Sequence, residues 1–302
     1  MTTWVLIGAP LDGSGEDRGE VRSPWALRAA GIVERLELED AGDLNIRAGT
    51  RLRDPATGVV ATDDVVAGSR SIRAEVSRVL QRGKRPLVVG GCCSILPGAF
   101  AGAVRTLGRT GLAFVDGHLD LHDGSTTRTG NLAGMALAVL LNHGAPAFTG
   151  LAGWVPMLSG EDLVAVGYHE SLAAEGAVAA DLVAPGATFL PASEITTADP
   201  AAIGRRIRTS FERNRLPFWI HFDVDVVDPS FMPAVNYPGH SGVTWEHVGE
   251  LLGALGPSPA LAGVSVADFD AGRDPGGHYA SLIAGALSRI THQSTIRSGR
   301  RS

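Results

Sequence analysis

The amino-acid sequence predicts an α/β fold with a largely parallel sheet, formed by a single domain over residues 1–302. Short apolar runs alternate with longer helical stretches along most of the chain, which is typical of α/β proteins. The short runs are mostly apolar throughout, as in strands that helices cover on both faces. No Pro/Ser-rich linker and no internal repeat divides the chain.

The elements follow from these runs in order. Seven strands are predicted, at Trp4–Gly8, Pro86–Gly90, Gly111–Val115, Leu163–Tyr168, Thr188–Leu190, Pro217–Phe222 and Leu261–Val266. Eight helices are predicted, at Pro24–Leu36, Asp64–Arg82, Ile95–Leu107, Asn131–Leu141, Ser171–Ala180, Pro200–Arg213, Thr244–Leu255 and Gly277–Ile290. Ser23 and Asp199 each precede a proline, a pattern typical of an N-cap followed by the first helical residue. Residues 47–63 are predicted to form a surface loop and residues 293–302 a flexible tail.

The composition argues against several classes of protein. With 26 basic and 32 acidic residues the net charge is −6, which disfavours a nucleic-acid partner. Two adjacent cysteines, Cys92 and Cys93, are too few for a disulfide-stapled scaffold. A hydrophobic content of 44% is too high for a disordered chain. No apolar run reaches the roughly 18 residues of a membrane span, and the N-terminus does not resemble a signal peptide. A cytoplasmic protein with reduced thiols and no membrane partner is therefore expected.

Potential metal ligands follow two of the predicted strands. They are Asp116, His118 and Asp120 after the third strand, and Asp223 and Asp225 after the sixth. Side chains at positions i and i+2 share one face of an extended chain, so each set can converge at the carboxyl edge of the sheet. Four carboxylates and an imidazole are costly to gather without a cation, and Mn²⁺ is commonly bound by such ligands. A single D-x-D is explained by the turn preference of aspartate, whereas two such sets at strand ends predict a metal site.

These stretches make the chain resemble the ureohydrolases, the family of arginases, agmatinases and formiminoglutamases. That family carries G-G-x-H-S, D-A-H-x-D and S-x-D-x-D-x-x-D-P in this order. The corresponding stretches here are Gly90–Ser94, Asp116–Asp120 and His221–Pro229. The resemblance spans roughly residues 4–290 and implies an arginase-like, three-layer α/β/α fold.

The resemblance also implies a two-manganese site that supplies a hydroxide for attack on a guanidinium carbon. By the match, Asp116 and Asp223 bridge both ions, and His118 and Asp225 complete one metal position. Asp120 and the residue at position 93 complete the other position, and Asp120 also orients the hydroxide.

Two departures from the family pattern concern the chemistry. Cys93 replaces the first histidine ligand, and a soft thiolate suits the hard Mn²⁺ ion poorly. Up to two Mn²⁺ ions are therefore expected, with weak or no binding at the Cys93 position; the alternative is that Cys93 has no role. Ala133 stands where arginases carry a histidine that moves protons to the leaving amine. Either the leaving group needs less help or His122 substitutes, unless His122 is merely a polar loop residue.

Further positions match substrate contacts of the family. Thr127, Thr129 and Asn131 match residues that bind the substrate α-carboxylate, for which hydroxyl and amide donors are suited, although a turn rich in Thr and Asn is the alternative. Glu170 and Glu175 match acidic positions of the substrate site, while Leu172 replaces a family aspartate, so recognition of the amino group is open. Asp268 matches the glutamate that binds the guanidinium and is one methylene shorter, with Asp270 as an alternative register.

The space left by Asp268 favours a small guanidino amino acid with an N-hydroxyl group, Nω-hydroxy-L-arginine, cleaved to L-ornithine and hydroxyurea. Family members that hydrolyse hydroxyarginine in antibiotic biosynthesis also carry a cysteine at the position of Cys93, and the chain resembles them in this respect. Arginase activity is the nearest alternative, and a metal-poor binding or regulatory subunit is an alternative of another class. Covalent catalysis by the Cys93 thiolate is a further alternative, disfavoured because nearby aspartates raise a thiol pKa. By analogy with the family, a homo-oligomer is expected.

Overall fold

The computed structural model describes residues 3–170 and 184–291. Within these ranges eight parallel strands form one sheet: β1 Trp4–Gly8, β2 Glu39–Asp43, β3 Arg85–Val89, β4 Gly111–Val115, β5 Leu163–Val166, β6 Thr188–Leu190, β7 Phe218–Asp223 and β8 Leu261–Ala267. Their order across the sheet is β2-β1-β3-β8-β7-β4-β5-β6. The helices are α1 Ser23–Ala29, α2 Ile32–Arg35, α3 Thr62–Gln81, α4 Leu96–Leu107, α5 Ala136–Leu140, α6 Pro146–Thr149, α7 Ala192–Thr197, α8 Pro200–Arg213, α9 Trp245–Leu255 and α10 His278–Thr291.

Two hydrophobic cores lie on opposite faces of the sheet and give the predicted three layers. Leu112 and Phe114 of β4 pack with α3, α4 and α5 in one core. Ala113 and Val115 of the same strand pack with α8, α9 and α10 in the other. Successive side chains of a strand point to opposite faces, so a strand covered on both sides needs apolar residues at every position. This requirement explains why the central strands are recognisable from sequence as continuous apolar runs.

All seven predicted strands exist, with ends within two residues of prediction. The sequence prediction missed β2, an edge strand whose five residues, EDAGD, are all exposed. Because its contribution to the sheet is backbone pairing with β1, it leaves no apolar pattern. Two short helices, α6 and α7, were also missed.

Most predicted helices agree within two residues, with three exceptions. Predicted helix 24–36 is divided into α1 and α2 at Gly31, which has a positive φ of 77°. Predicted helix 131–141 is a 3-10 turn over Leu132–Met135 followed by α5, and the Asn131 side chain caps the turn. Predicted helix 171–180 lies outside the described residues.

The two predicted helix caps differ in outcome. Asp199 is the N-cap of α8, where its side chain accepts a hydrogen bond from the amide of Ala202. The prediction for Ser23 was wrong, because Ser23 is the first residue of α1 and Arg22 precedes it in helical conformation. A 3-10 turn over Gly19–Arg22 leads directly into α1, so no extended N-cap residue forms.

The sheet order brings the chemically interesting strand ends together. β3, β8, β7 and β4 are neighbours in the middle of the sheet, and Cys93, Asp268, Asp223 and Asp116 lie at or just beyond their carboxyl ends. None of the helices in the described ranges is both long and apolar enough to cross a membrane.

Candidate metal centre

Asp116 lies at the middle of the centre and faces two groups of possible ligands. It follows β4 and is buried. One carboxylate oxygen, Oδ1, accepts a hydrogen bond from the amide of His118 at 2.6 Å. The other, Oδ2, lies 3.6 Å from Cys93 Sγ. Asp116 therefore faces both ligand groups, and its role as a bridging ligand stays a prediction.

The first ligand group consists of Asp116, His118 and Asp225, with ligand atoms within 4.8 Å of one another. His118 Nδ1 lies 2.9 Å from Asp225 Oδ2. Burial is the largest single effect and opposes a charge on this imidazole. The charge of Asp225, its hydrogen bond to the ring and the charges of Asp116 and Asp120 together outweigh it and raise the pKa of His118 to about 10. Conversely, burial tends to raise the pKa of Asp225, and the nearby His118 lowers it below the usual value. A cation therefore already sits beside Asp225, in the form of the His118 ring.

The second ligand group contains the residue that replaces the family histidine. Cys93, Asp116 and His221 form one set within 4.8 Å, and Cys93, Asp223 and Asp268 form an overlapping one. The Cys93 thiol donates to Asp223 Oδ2 at 2.8 Å, and its sulfur lies 3.1 Å from His221 Nε2. Burial, reinforced by the charges of Asp223 and Asp116, raises the pKa of Cys93 well above the usual range. Without a cation this cysteine is a neutral thiol.

Sequence reasoning missed His221, although its signal was present. His221 lies two residues before Asp223 on β7, so both side chains point to the same face of the sheet. In the family motif a serine stands at this position. Burial lowers the pKa of His221 to about 3, so the ring is neutral near pH 7.

The electrostatics of the centre call for a cation. Burial raises the pKa values of Asp116, Asp120 and Asp223 well above the usual range, and neighbouring carboxylates add to the effect. Asp120 has a positive φ of 48°, and its buried Oδ2 has no hydrogen-bond partner among the described residues. Asp120 belongs to neither ligand group, but Cys93 and His118 both act on its pKa. Its role as a ligand remains a prediction.

The donors decide which ion the centre fits. Asp116, His118 and Asp225 offer oxygen and imidazole ligands, which suit Mn²⁺. The set around Cys93 includes a sulfur, which suits softer ions and fits Mn²⁺ poorly. The residues therefore fit manganese in the first position and not in the second.

The two candidate partners for a guanidinium are placed differently. Asp268 follows β8 with a positive φ of 63°, and its buried Oδ1 is without a hydrogen-bond partner in the described part of the chain. Asp270 caps a 3-10 turn through the amide of Gly272 at 2.8 Å and pairs with Arg273. Its carboxylate is thus occupied by the fold, so Asp268 is the acid that faces the centre.

Glu20, which sequence reasoning did not identify, lies behind Asp268. It is buried, Asn236 donates to its Oε1, and its Oε2 has no partner among the residues described. Burial first, and then the charge of Asp268, raise the pKa of Glu20 well above its usual value. Two buried carboxyl groups that face each other need a shared proton or a cationic ligand.

The predicted carboxylate-binding residues lie on one loop and are partly used by it. Thr127 Oγ1 accepts from the amide of Gly130 at 3.1 Å, and Thr129 Oγ1, on an exposed residue, accepts from the amide of Asn131 at 3.2 Å. Asn131 Oδ1 accepts from the amide of Ala133, while its buried Nδ2 lacks a partner within residues 3–170 and 184–291. Asn131 therefore keeps an unused donor.

The other predicted positions are less informative. Glu170 is exposed, and its Oε1 accepts a hydrogen bond from Ser193. Glu175 and Leu172 lie outside the described residues. Ala133 is buried, whereas His122 is exposed.

His169 is a further buried side chain that the sequence prediction did not single out. Its Nε2 lies 3.3 Å from the carbonyl oxygen of Asp225, and its ring meets His118 edge-on at 5.9 Å. A Cβ atom on Gly117 would lie 2.4 Å from His169 Nε2. The close packing accounts for glycine where the family motif has alanine. A buried acidic centre at the carboxyl edge of a parallel sheet is typical of metal-dependent α/β enzymes.

Comparison with known proteins identifies the family. The model of the arginase family matches residues 2–292. The arginase of Bacillus caldovelox is 30% identical over 246 residues, covering 80% of this chain and 81% of that protein. Human arginase-1 is 30% identical over 253 residues, covering 80% and 76%. The native structure of the Bacillus caldovelox arginase at pH 5.6 matches with a TM-score of 0.90 at 26% identity, over 98% of this chain and 100% of that one.

The chain therefore belongs to the arginase family, and its fold is the arginase-like α/β fold. It is an amidinohydrolase of the kind that acts on C–N bonds of guanidino compounds. Enzymes of this family generally use two metal ions, typically Mn²⁺, and often form oligomers.

Proposed function

We propose that this protein is a Mn²⁺-dependent amidinohydrolase that cleaves Nω-hydroxy-L-arginine to L-ornithine and hydroxyurea. The observation that carries the proposal is the placement of Asp268 beside Cys93 and Asp223, with a buried oxygen that has no hydrogen-bond partner among the described residues. A guanidinium presents planar N–H donors that suit such a carboxylate. Because aspartate is one methylene shorter than the family glutamate, a substrate with an additional hydroxyl oxygen has room beside it.

Glu20 supports this assignment. Its charge and that of Asp268 act on each other, and each keeps a buried oxygen without a partner among the described residues. Buried charges are stable when they are paired. A cationic guanidinium bound at Asp268 would neutralise part of this negative charge, so the site favours a cationic substrate head.

Asn131 supports an amino-acid substrate over a decarboxylated amine. Its Nδ2 is a buried donor whose hydrogen bonds are not used by the described fold, and a carboxylate oxygen is the complementary acceptor. The hydroxyl groups of Thr127 and Thr129 lie 3.4 Å apart on the same loop and can add donors.

Each group at the centre then has a task. Asp116, His118 and Asp225 would hold Mn²⁺, and the ion supplies a hydroxide nucleophile at neutral pH when bound. Asp268 orients the guanidinium, and Asp120 has an Oδ2 without a hydrogen-bond partner among the described residues, which can hold a proton. Ala133 cannot take part in proton transfer, so the enzyme works without the shuttle histidine of arginases.

The test is steady-state release of L-ornithine by the Mn²⁺-loaded protein from hydroxyarginine and from arginine. We expect kcat/KM to be at least about tenfold higher for hydroxyarginine, equivalent to about 1.4 kcal/mol in the transition state. The matched variant is Asp268→Glu, which fills the space and should shift the preference toward arginine. A wild-type protein that turns over arginine far better would refute the substrate assignment and identify an arginase.

Two other outcomes have distinct meanings. No turnover of either substrate together with no bound metal would indicate a binding or regulatory subunit. Loss of all activity in Cys93→Ser with unchanged metal content would favour covalent catalysis by the thiolate. A change confined mainly to metal content would instead place Cys93 at the metal.

A further inference from the structure

The Cys93 position has the geometry of a site for a metal other than manganese. Zinc sites have Zn–S distances of about 2.3 Å and Zn–N distances of about 2.0–2.1 Å, which in a tetrahedron place sulfur and nitrogen about 3.5 Å apart. Cys93 Sγ lies 3.1 Å from His221 Nε2 and 3.6 Å from Asp116 Oδ2. Movements of roughly half an ångström would bring these three ligand atoms to such spacings. Asp223 Oδ2 lies 2.8 Å from the sulfur and belongs with Asp268 to the overlapping set.

The surroundings of His221 hold its ring in the orientation that a ligand needs. Its Nδ1 lies 2.7 Å from Ser265 Oγ, which also accepts a hydrogen bond from Trp219 Nε1 at 2.9 Å. A serine oxygen has two lone pairs and can accept from both rings. With the proton on Nδ1, the lone pair of Nε2 faces Cys93. Ligating histidines typically donate their other ring N–H in this way.

Packing prevents the ring from turning away. His221 is fully buried and stacks on Phe114 with ring centroids 5.4 Å apart. Both residues lie on neighbouring strands at paired positions, His221 on β7 and Phe114 on β4. The Nε2 atom is therefore directed toward the sulfur by the sheet itself.

We propose that Cys93, His221 and Asp116 bind a thiophilic divalent ion of the Zn²⁺ class, and that His221 supplies its nitrogen ligand. Thiolate ligation strengthens the preference for zinc over manganese, whereas the position of Asp116, His118 and Asp225 has no sulfur and is available to Mn²⁺ once Zn²⁺ is taken up at Cys93. Because Asp116 belongs to both sets, the two different ions are neighbours. The histidine lost at position 93 is replaced by one from another strand.

The experiment measures metal identity and ligation, so its outcome does not depend on the substrate. Metal-free protein is mixed with one equivalent of Zn²⁺ per chain and an excess of Mn²⁺. Unbound ions are removed by dialysis, and bound metals are counted by elemental analysis. In parallel, Co²⁺ is titrated as a spectroscopic probe, since a cobalt–thiolate bond gives a charge-transfer band in the near ultraviolet. We expect one Zn²⁺ per chain and a thiolate–cobalt band in the wild type.

Variants assign the ligands. Cys93→Ser should abolish the band, and His221→Asn should weaken Zn²⁺ binding by at least roughly tenfold to hundredfold. His169→Asn is the matched control, a buried histidine near the other position, and should leave the band and the zinc content unchanged. Cys93→His, which restores the family ligand, should let Mn²⁺ compete at both positions. Because the expected result is a gain of Mn²⁺ binding, a loss of folding could not be mistaken for it.

Two results would overturn the proposal. Retention of Mn²⁺ in place of Zn²⁺ by the wild type, or absence of the thiolate–cobalt band, excludes a thiophilic site at Cys93. Unchanged zinc affinity in a folded His221→Asn variant shows that His221 is a core histidine and not a ligand.

Discussion

Gly117 should be sensitive to the smallest possible side chain. An alanine Cβ there would lie 2.4 Å from His169 Nε2 and 2.8 Å from the Asp225 carbonyl oxygen. On its other side the ring meets Gly239, whose own Cβ would lie 2.2 Å from it. The ring is thus held between two glycine backbones and cannot simply retreat. To reach an ordinary contact of about 3.4 Å it must move by about 1 Å, a degree of overpacking that costs about 1–3 kcal/mol.

The same change should disturb the manganese position. Asp225 Oδ1 accepts the Gly117 amide at 3.1 Å, while its Oδ2 contacts His118. A shift of this segment misplaces two predicted ligands. Gly117→Ala should therefore lower both the free energy of unfolding, measured by urea titration of metal-free protein, and the Mn²⁺ affinity, measured by calorimetry.

The matched control is Gly134→Ala, whose Cβ would meet a single atom at 3.8 Å, the Cδ2 of His122. This variant should behave as the wild type. The double variant Gly117→Ala/His169→Ala should recover part of the lost stability, because removing the ring removes the clash. A Gly117→Ala protein as stable as the wild type would refute the close packing around His169.

Further predictions concern the acids of the centre and their dependence on pH. In Mn²⁺-saturated enzyme, Asp268→Asn should lower kcat/KM for guanidino substrates by roughly 10–100-fold, because it removes a hydrogen bond to a charged group. Asp270→Asn should instead lower Tm with little effect on kcat. Equal effects of the two variants on kcat/KM would contradict the assignment of Asp268 to the substrate and Asp270 to the fold. Metal-free protein should become less stable as pH rises from about 4 toward 10. The folded-state pKa values of Asp116, Asp120 and Asp223 are raised above 3.8, and that of His118 is raised from 6.5 to about 10. The folded state therefore binds more protons than the unfolded state over that range. Mn²⁺ should reverse the trend, since its binding displaces those protons. Urea titrations at pH 5 and 8, in chelator and in Mn²⁺, measure how the free energy of unfolding changes with pH in each case. A free energy of unfolding that rises with pH in chelator would count against the raised pKa values.

Local sequence patterns were sufficient for most of the fold. The buried strands were recognisable because burial on both faces requires apolar residues throughout, as in β4. The edge strand β2 has five exposed polar or small residues and leaves no such pattern. Ser23 resembled a helix cap by its position before Pro24, but the preceding turn holds the chain in helical conformation.

The candidate site was predictable to the extent that its residues are close in sequence. Asp116, His118, Asp223 and Asp225 were found because alternation along one strand end is a local property. His169 and Glu20 were missed because their partners, Asp225 and Asp268, are far away in the chain. Neither residue carries a local signal that separates it from an ordinary buried polar side chain.

The sequence by itself determined the class of fold, the family and the acidic residues that follow the carboxyl ends of the central strands. Which of them meet was decided by the tertiary structure. Cys93 and His221 are 128 residues apart in the chain, yet their side chains touch, because β3, β8, β7 and β4 are neighbours in the sheet. The order of strands depends on packing between distant segments, so no local pattern encodes it, and the sulfur–imidazole pair that distinguishes this centre becomes visible only in the folded molecule.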